Sequence, residues 1–287
     1  MSLDSRNPLL PTLIIAAMLL VSSGSITKAE PGNRDPNVEA LLAPLGPATN
    51  VSAFGIFDPD KSSPAYKRMV ETLSHPDARV FQVLMTEVTN VGVLEKTSPI
   101  GLKGEAAPRA TRLFQAFRIM GTNVVSLYPQ LTNEFLSGRS VNVAANGLSK
   151  MGEMGWRVLV DALTNSQPRI QVAAAAVMQY VKGKYALEAL PYLYSFTTNS
   201  SAPKLLRIGS EESIVNCGID STIKVPMLIQ IADTDTNTEI RCLAIDGIGQ
   251  VGVDSKVVRI FLQRVSNDSN GSVRNFATNA LDELEAK

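Results

Sequence analysis

Histidine occurs once in 287 residues, at position 75, and cysteine twice, at 217 and 242. A single histidine excludes a two-histidine zinc site and leaves no Ser/His pair for nucleophilic catalysis deep in the chain. Net charge is also lacking, with 27 Lys plus Arg against 27 Asp plus Glu. No basic excess is therefore available to neutralise a phosphate backbone or an anionic lipid surface, and nucleic acid is not expected as a partner. The apolar run Leu9–Val21 (LLPTLIIAAMLLV) has 13 residues. That is too short to span roughly 30 Å of hydrocarbon as a helix, but it suits the core of a secretion signal. Residues 1–29 are read as an export signal cleaved after Ala29, which places the mature chain in the periplasm or outside the cell. Asp4 offsets Arg6 ahead of the run, so an uncleaved membrane anchor extending to Ile26 is the alternative.

With 45% hydrophobic and 19% charged residues, the chain is built to fold rather than to stay disordered. Residues 30–63 carry Pro31, Pro36, Pro44, Pro47 and Pro59 without a sustained period. They read as a Pro-rich linker holding at most one short helix near Val38 to Leu42. From Pro64 to Lys287 the pattern is helical, interrupted by a loop insertion at about 89–107.

Sliding the chain along itself brings six segments into register with IRCLAIDGIGQVG (240–252): RATRLFQAFRIMG (109–121), SVNVAANGLSKMG (140–152), IQVAAAAVMQYVK (170–182), LRIGSEESIVNCG (206–218) and VRNFATNALDELE (273–285) are the other five. Their starts lie 31, 30, 36, 34 and 33 residues apart. The column of Ala244 is mostly small, as a close helix crossing requires. The columns of Ile248 and Val251 are apolar and three or four residues away, which puts them on one buried stripe. Between the copies a second signature recurs: Pro129, Pro191 and Pro226 precede apolar positions, with Arg157 and Val258 in the proline column of the other copies. A proline in the first turn of a helix gives up an N–H that has no intrahelical partner, so each unit reads as an antiparallel helix pair.

This pattern resembles HEAT repeats, in particular the short bacterial HEAT-like repeats named after phycobilisome lyases. It is strongest in 225–252 and 257–284 and weakest in the copy holding Gly209, Glu211 and Glu212. A single pair of about 33 residues cannot bury its apolar faces, and stacking supplies the missing surface. The expected fold is all-α, a right-handed α-solenoid (superhelix) of stacked antiparallel helix pairs.

Several motifs compete with this reading. Gly247, Gly249 and Gly252 in DGIGQVGVD match the spacing of a dinucleotide-binding loop, which also needs a strand before it and a helix starting at it. Helical spacing on both sides argues against that. The alignment instead makes Gly247 a packing position, Gly252 a helix cap in common with Gly121, Gly152 and Gly218, and Gly249 incidental. Substituting Gly249 by Ala is then expected to leave stability unchanged or slightly raised. DTDTNTE (233–239) and DPDKSSP (58–64) resemble the start of a calcium loop but lack its later ligands, and read as capped turns. Arg207, Arg241 and Arg274 share a column, and Asp235 and Asp268 each lie six residues before an arginine. The resemblance implies an internal ladder tying neighbouring turns. His75 reads as a turn residue, and Glu211 with Glu212 as a solvated face. Cys217 and Cys242 lie nine residues out of phase in neighbouring copies, about 13 Å along the axis, beyond the roughly 7 Å that a disulfide spans, so two free thiols are expected.

No cluster for chemistry emerges. The sequence assigns no catalytic, cofactor or metal residues and no cofactor. The expected function is a non-catalytic, monomeric, exported scaffold holding a protein or peptide on its concave face. The columns of that face vary between copies (Arg118, Ser149, Gln179, Gly249, Asp282). An enzyme acting on bound tetrapyrrole, implied by the family name alone, and a purely structural envelope component are the alternatives.

Overall fold

A computed structural model describes residues 35–46, 59–96, 102, 104–251 and 255–285. The export signal, Gly252 and most of the proposed linker lie outside the described residues. The described chain is all-α and falls into two compact units, 1–151 and 152–287. Neither contains a strand among the described residues; one isolated parallel bridge joins Lys182 to Gly218.

In the first unit α1 (Pro36–Leu42) runs into a 3-10 turn at Ala43–Leu45, and Val38, Leu42 and Leu45 are buried. This stretch packs on the body rather than acting as a linker. Then follow α2 (Pro64–Ser74) and α3 (Ala78–Glu95), started by side chains that accept from otherwise unpaired N–H groups: Ser63 from Tyr66 and Asp77 from Val80. Because α3 continues to Glu95, the segment 89–95 placed in a loop by the sequence is helix. Leu84, Val88 and Val91 form its buried stripe. α4 (Ala106–Met120), a 3-10 segment (Gly121–Leu127), α5 (Tyr128–Leu136) and α6 (Val141–Ser149) complete the unit.

The second unit consists of four helix pairs: α7 (Glu153–Ala162) with α8 (Pro168–Val177), α9 (Gly183–Thr198) with α10 (Lys204–Asn216), α11 (Ser221–Thr234) with α12 (Thr238–Val251), and α13 (Lys256–Val265) with α14 (Gly271–Glu285). The second helices stack in the order α8, α10, α12, α14. Their buried small residues, Ala174, Ser210, Ala244 and Ala277, occupy one column. The turns within the pairs share one device, in which a side-chain oxygen accepts from the N–H two residues on: Asn165 from Gln167, Asn199 from Ser201, Asp235 from Asn237 and Asp268 from Asn270.

Two details of the sequence reading change. Pro129 stands in the first turn of α5, but Pro191 and Pro226 lie inside α9 and α11. Those helices start earlier, α11 because Asp220 accepts from Thr222 N–H and α9 at Gly183, whose φ is 60°. The carbonyls that the prolines leave without a helical donor belong to exposed Leu187 and Thr222, where water can satisfy them. The three prolines are exposed whereas Val258 is buried, so half-buried Arg259 takes the corresponding place in α13. The glycine caps divide similarly. Gly121, at φ 55°, ends its helix as expected, whereas Gly152, at φ 63°, stands immediately before α7 and α6 is ended by Lys150. Gly218 has no positive φ, and its N–H donates to Val181 O in the isolated bridge.

Candidate functional site

The sequence motifs resolve into structural roles. Gly247 and Gly249 lie inside α12, with no strand before them, so the dinucleotide loop is absent there. A Cβ at Gly247 would run into Val215 Cγ2, and one at Gly249 would stand 3.0 Å from Ala280 Cβ and 3.1 Å from Ala280 Cα. Gly249 is thus a packing position and not incidental: it lets α14 approach α12. Asn237 in DTDTNTE accepts from the N–H groups of Glu239 and Ile240, starting α12. In DPDKSSP, Asp60 accepts from Ser62 N–H at 3.0 Å while Ser63 caps α2. His75 follows α2, its N–H bonded to Glu71 O. Both cysteines are free and buried, and burial raises the pKa of both thiols.

The arginine column forms the expected ladder. Arg207 Nε donates to Thr197 O of its own pair while its Nη2 bonds Asp235 of the next. Arg241 repeats this with Ala232 O and Asp268. Arg274 bonds the carbonyls of Asp268 and Ser269. These guanidinium groups are spent on structure.

The face proposed from the sequence is corrected by burial. In the column of Gly249, Ser149, Val215 and Gly249 itself are buried and Gln179 half-buried, and only Arg118 and Asp282 are exposed. The accessible columns flank it. On α10, α12 and α14 they hold Glu212 with Asn216, Asp246 with Gln250, and Asn279 with Glu283, each pair four residues apart on one helix face and half-buried or exposed. Gln250 Nε2 donates to Asp246 Oδ2 at 2.5 Å. These columns contain no basic residue in 204–285. Burial pushes the Glu212 carboxyl up to about 7 and raises that of Asp246, so both carboxylates are held where a cation would relieve them.

Glu211 departs most from the sequence reading. It is 1% exposed, so it does not sit on a solvated face, and neither carboxylate oxygen has a hydrogen-bond partner. Its column holds Phe114, Ala145, Ala175 and Ile245 in other copies and Thr278 only in the last, so a carboxylate at a mostly apolar position was the available signal. In the first unit, sequence reasoning missed a buried polar network. Arg109 binds Glu87 through Nε at 2.7 Å, and Arg112 binds Glu39 of α1 bidentately at 2.9 and 3.0 Å. Glu87 and Glu95 fall on the apolar stripe of α3, which is the trace they leave in the sequence. At the end of α6, burial and the nearby Arg118 push the Lys150 amine down to about 8. Among the described residues, no three His, Cys, Asp or Glu side chains are grouped so as to hold a metal ion. No described helix is long and apolar enough to cross a membrane.

No family model matches the chain. No curated protein matches it either. Among solved structures, one engineered protein matches at 16% identity and a TM-score of 0.45, over 77% of this chain and 96% of its own. A second engineered protein matches at 17% and 0.44, over 87% and 68%. Human deoxyhypusine hydroxylase in complex with glycerol matches at 16% and 0.38, over 98% and 100%. The last is an enzyme by its name. The expectation that this chain is not an enzyme is withdrawn, because a want of recognisable motifs in a stack of helices does not exclude catalysis.

Proposed function

We propose that the chain binds a protein or peptide through the second-helix face of residues 204–285, and that the bound segment carries basic residues. The row formed by Glu212, Asp246 and Glu283, with Asn216, Gln250 and Asn279 beside them, carries this reading. Polar side chains occupy these positions on all three helices, all are half-buried or exposed, and the three acids bear one sign of charge. Opposite charge across such a face speeds encounter and fixes orientation more than it adds affinity. The finer view that the pairs are HEAT-like repeats of the phycobilisome-lyase type is supported by the Arg–Asp ladder and the small-residue column. Export is part of the same proposal and rests on Leu9–Val21.

Crosslinking in intact cells followed by mass spectrometry tests the proposal. Partners captured by the wild-type chain should be lost in Glu212→Gln with Asp246→Asn, and kept in Glu188→Gln on the first-helix side. Capture weakened by salt would agree with the charge argument. An unchanged partner set in the double variant would sink it.

A further inference from the structure

The face between α10 and α12 encloses the Glu211 carboxyl, 1% exposed, with both oxygens unpartnered and Ser210 Oγ beside it equally without a partner. An ionised carboxylate in such a place has neither water nor a donor to replace water. The surrounding charges do not help. Glu212 of its own helix, Asp246 of α12 and Asp235 of the turn before α12 all act on it with like sign. Arg207 acts with opposite sign, but its guanidinium is engaged by Thr197 O and Asp235. The thiol of Cys242 on α12 feels the same carboxyl. The other elements packed on α10 turn elsewhere. α8 meets it with alanines, Ala175 O accepting from Ser213 and Ala176 lying against Gly209, and the Met178–Tyr180 turn gives Gln179 N–H to Ser213. On α9, Lys184 reaches Glu153 and Glu188 acts on Arg157, both toward α7. Lys224 of α11 meets α10 at its far end, donating to the carbonyls of Val215 and Cys217.

We propose that the packed face between α10 and α12 is a proton-operated joint, closed while the Glu211 carboxyl carries its proton and loosened when that proton leaves to solvent. Burial first, then the Asp235 and Glu212 charges, hold the Glu211 carboxyl well above its ordinary 4.5. The sign follows from linkage. A carboxyl whose folded-state value is raised stabilises fully below its unfolded value and loses that contribution as pH rises through the folded one. Glu212, at about 7, adds to the loss in the same direction. The joint lies under Glu212 and Asp246 but does not depend on their binding role, because its readout is the chain alone.

Hydrogen exchange of the full-length protein at pH 5, 7 and 9, corrected for intrinsic rates, tests the joint. Amides of 204–216 and 238–251 should exchange about tenfold faster or more at pH 9 than at pH 5. Glu211→Gln and Glu211→Ile, the latter copying Ile245, should abolish most of that difference while 256–265 stays unaffected in all three proteins. Infrared difference spectra of wild type against Glu211→Gln should show a protonated carboxyl band at pH 7. Equal pH dependence in wild type and the Gln variant, or no such band, would overturn the proposal.

Discussion

At the scale of single residues, the glycines of α12 show what a sequence conceals. Self-alignment identified Gly247 as a packing position because Gly147, Ala116, Ser213 and Ala280 share its column. It missed Gly249, whose column mixes Arg118, Gln179 and Asp282, because the requirement comes from the neighbouring helix, from Glu283 and Ala280 of α14. An alanine at a helical glycine gains up to about 1 kcal/mol of helix propensity, whereas overpacking costs about 1–3 kcal/mol. Gly249→Ala should therefore lower the thermal midpoint instead of raising it. Gly247→Ala should lower it further, since its Cβ would come closer to Val215 Cγ2 than a Cβ at Gly249 comes to Ala280. Calorimetry of both variants checks the order. Glu211 was legible in principle, as an acid in a mostly apolar column, but adjacency to Glu212 made it look like surface.

At the scale of elements, the helices were legible because their causes are local: apolar period, capping Ser, Asp and Asn side chains, and turns of one recurring type. The starts of α9 and α11 were not, because a proline marks a first turn in α5 and is merely tolerated inside the other two. The Arg–Asp ladder was read correctly because its spacing recurs. Arg207 and Asp235 are each 6% exposed, so removing either partner leaves a buried charge, a loss of about 3–5 kcal/mol. Arg207→Ala and Asp235→Ala should each destabilise strongly, and a double-mutant cycle should show coupling far above that between Arg207 and Asp268. In the first unit, Glu39→Gln weakens the bidentate hold of Arg112 on α1. Limited proteolysis should then cut within 36–46 sooner than in wild type, and an unchanged cleavage rate would contradict that role for the pair.

At the scale of the whole molecule, the fold class was legible and the surface was not. Which columns face water depends on how closely neighbouring helices stack, and no single repeat contains that information. Titration gives a global test. Asp268 is held below its ordinary 3.8, first by Asn270 N–H and then by Arg241, and Asp220 is held low by Thr222. Lowered carboxylates stabilise above their unfolded values and lose the contribution as pH falls through the folded ones. Glu211, Glu212 and Asp246 oppose them from the alkaline side. Melting midpoints should peak in mildly acidic solution, with Asp268→Asn blunting the acid limb alone. The ladder carries one more consequence, for how such a chain changes length over generations. Arg207 reaches Asp235 and Arg241 reaches Asp268, 28 and 27 residues ahead. Each pair thus acts as a ruler laid across one repeat, and a residue inserted between an arginine and its aspartate shifts the mark. Drift in length should collect outside those spans, as between Asp235 and Arg241 in the turn within a pair.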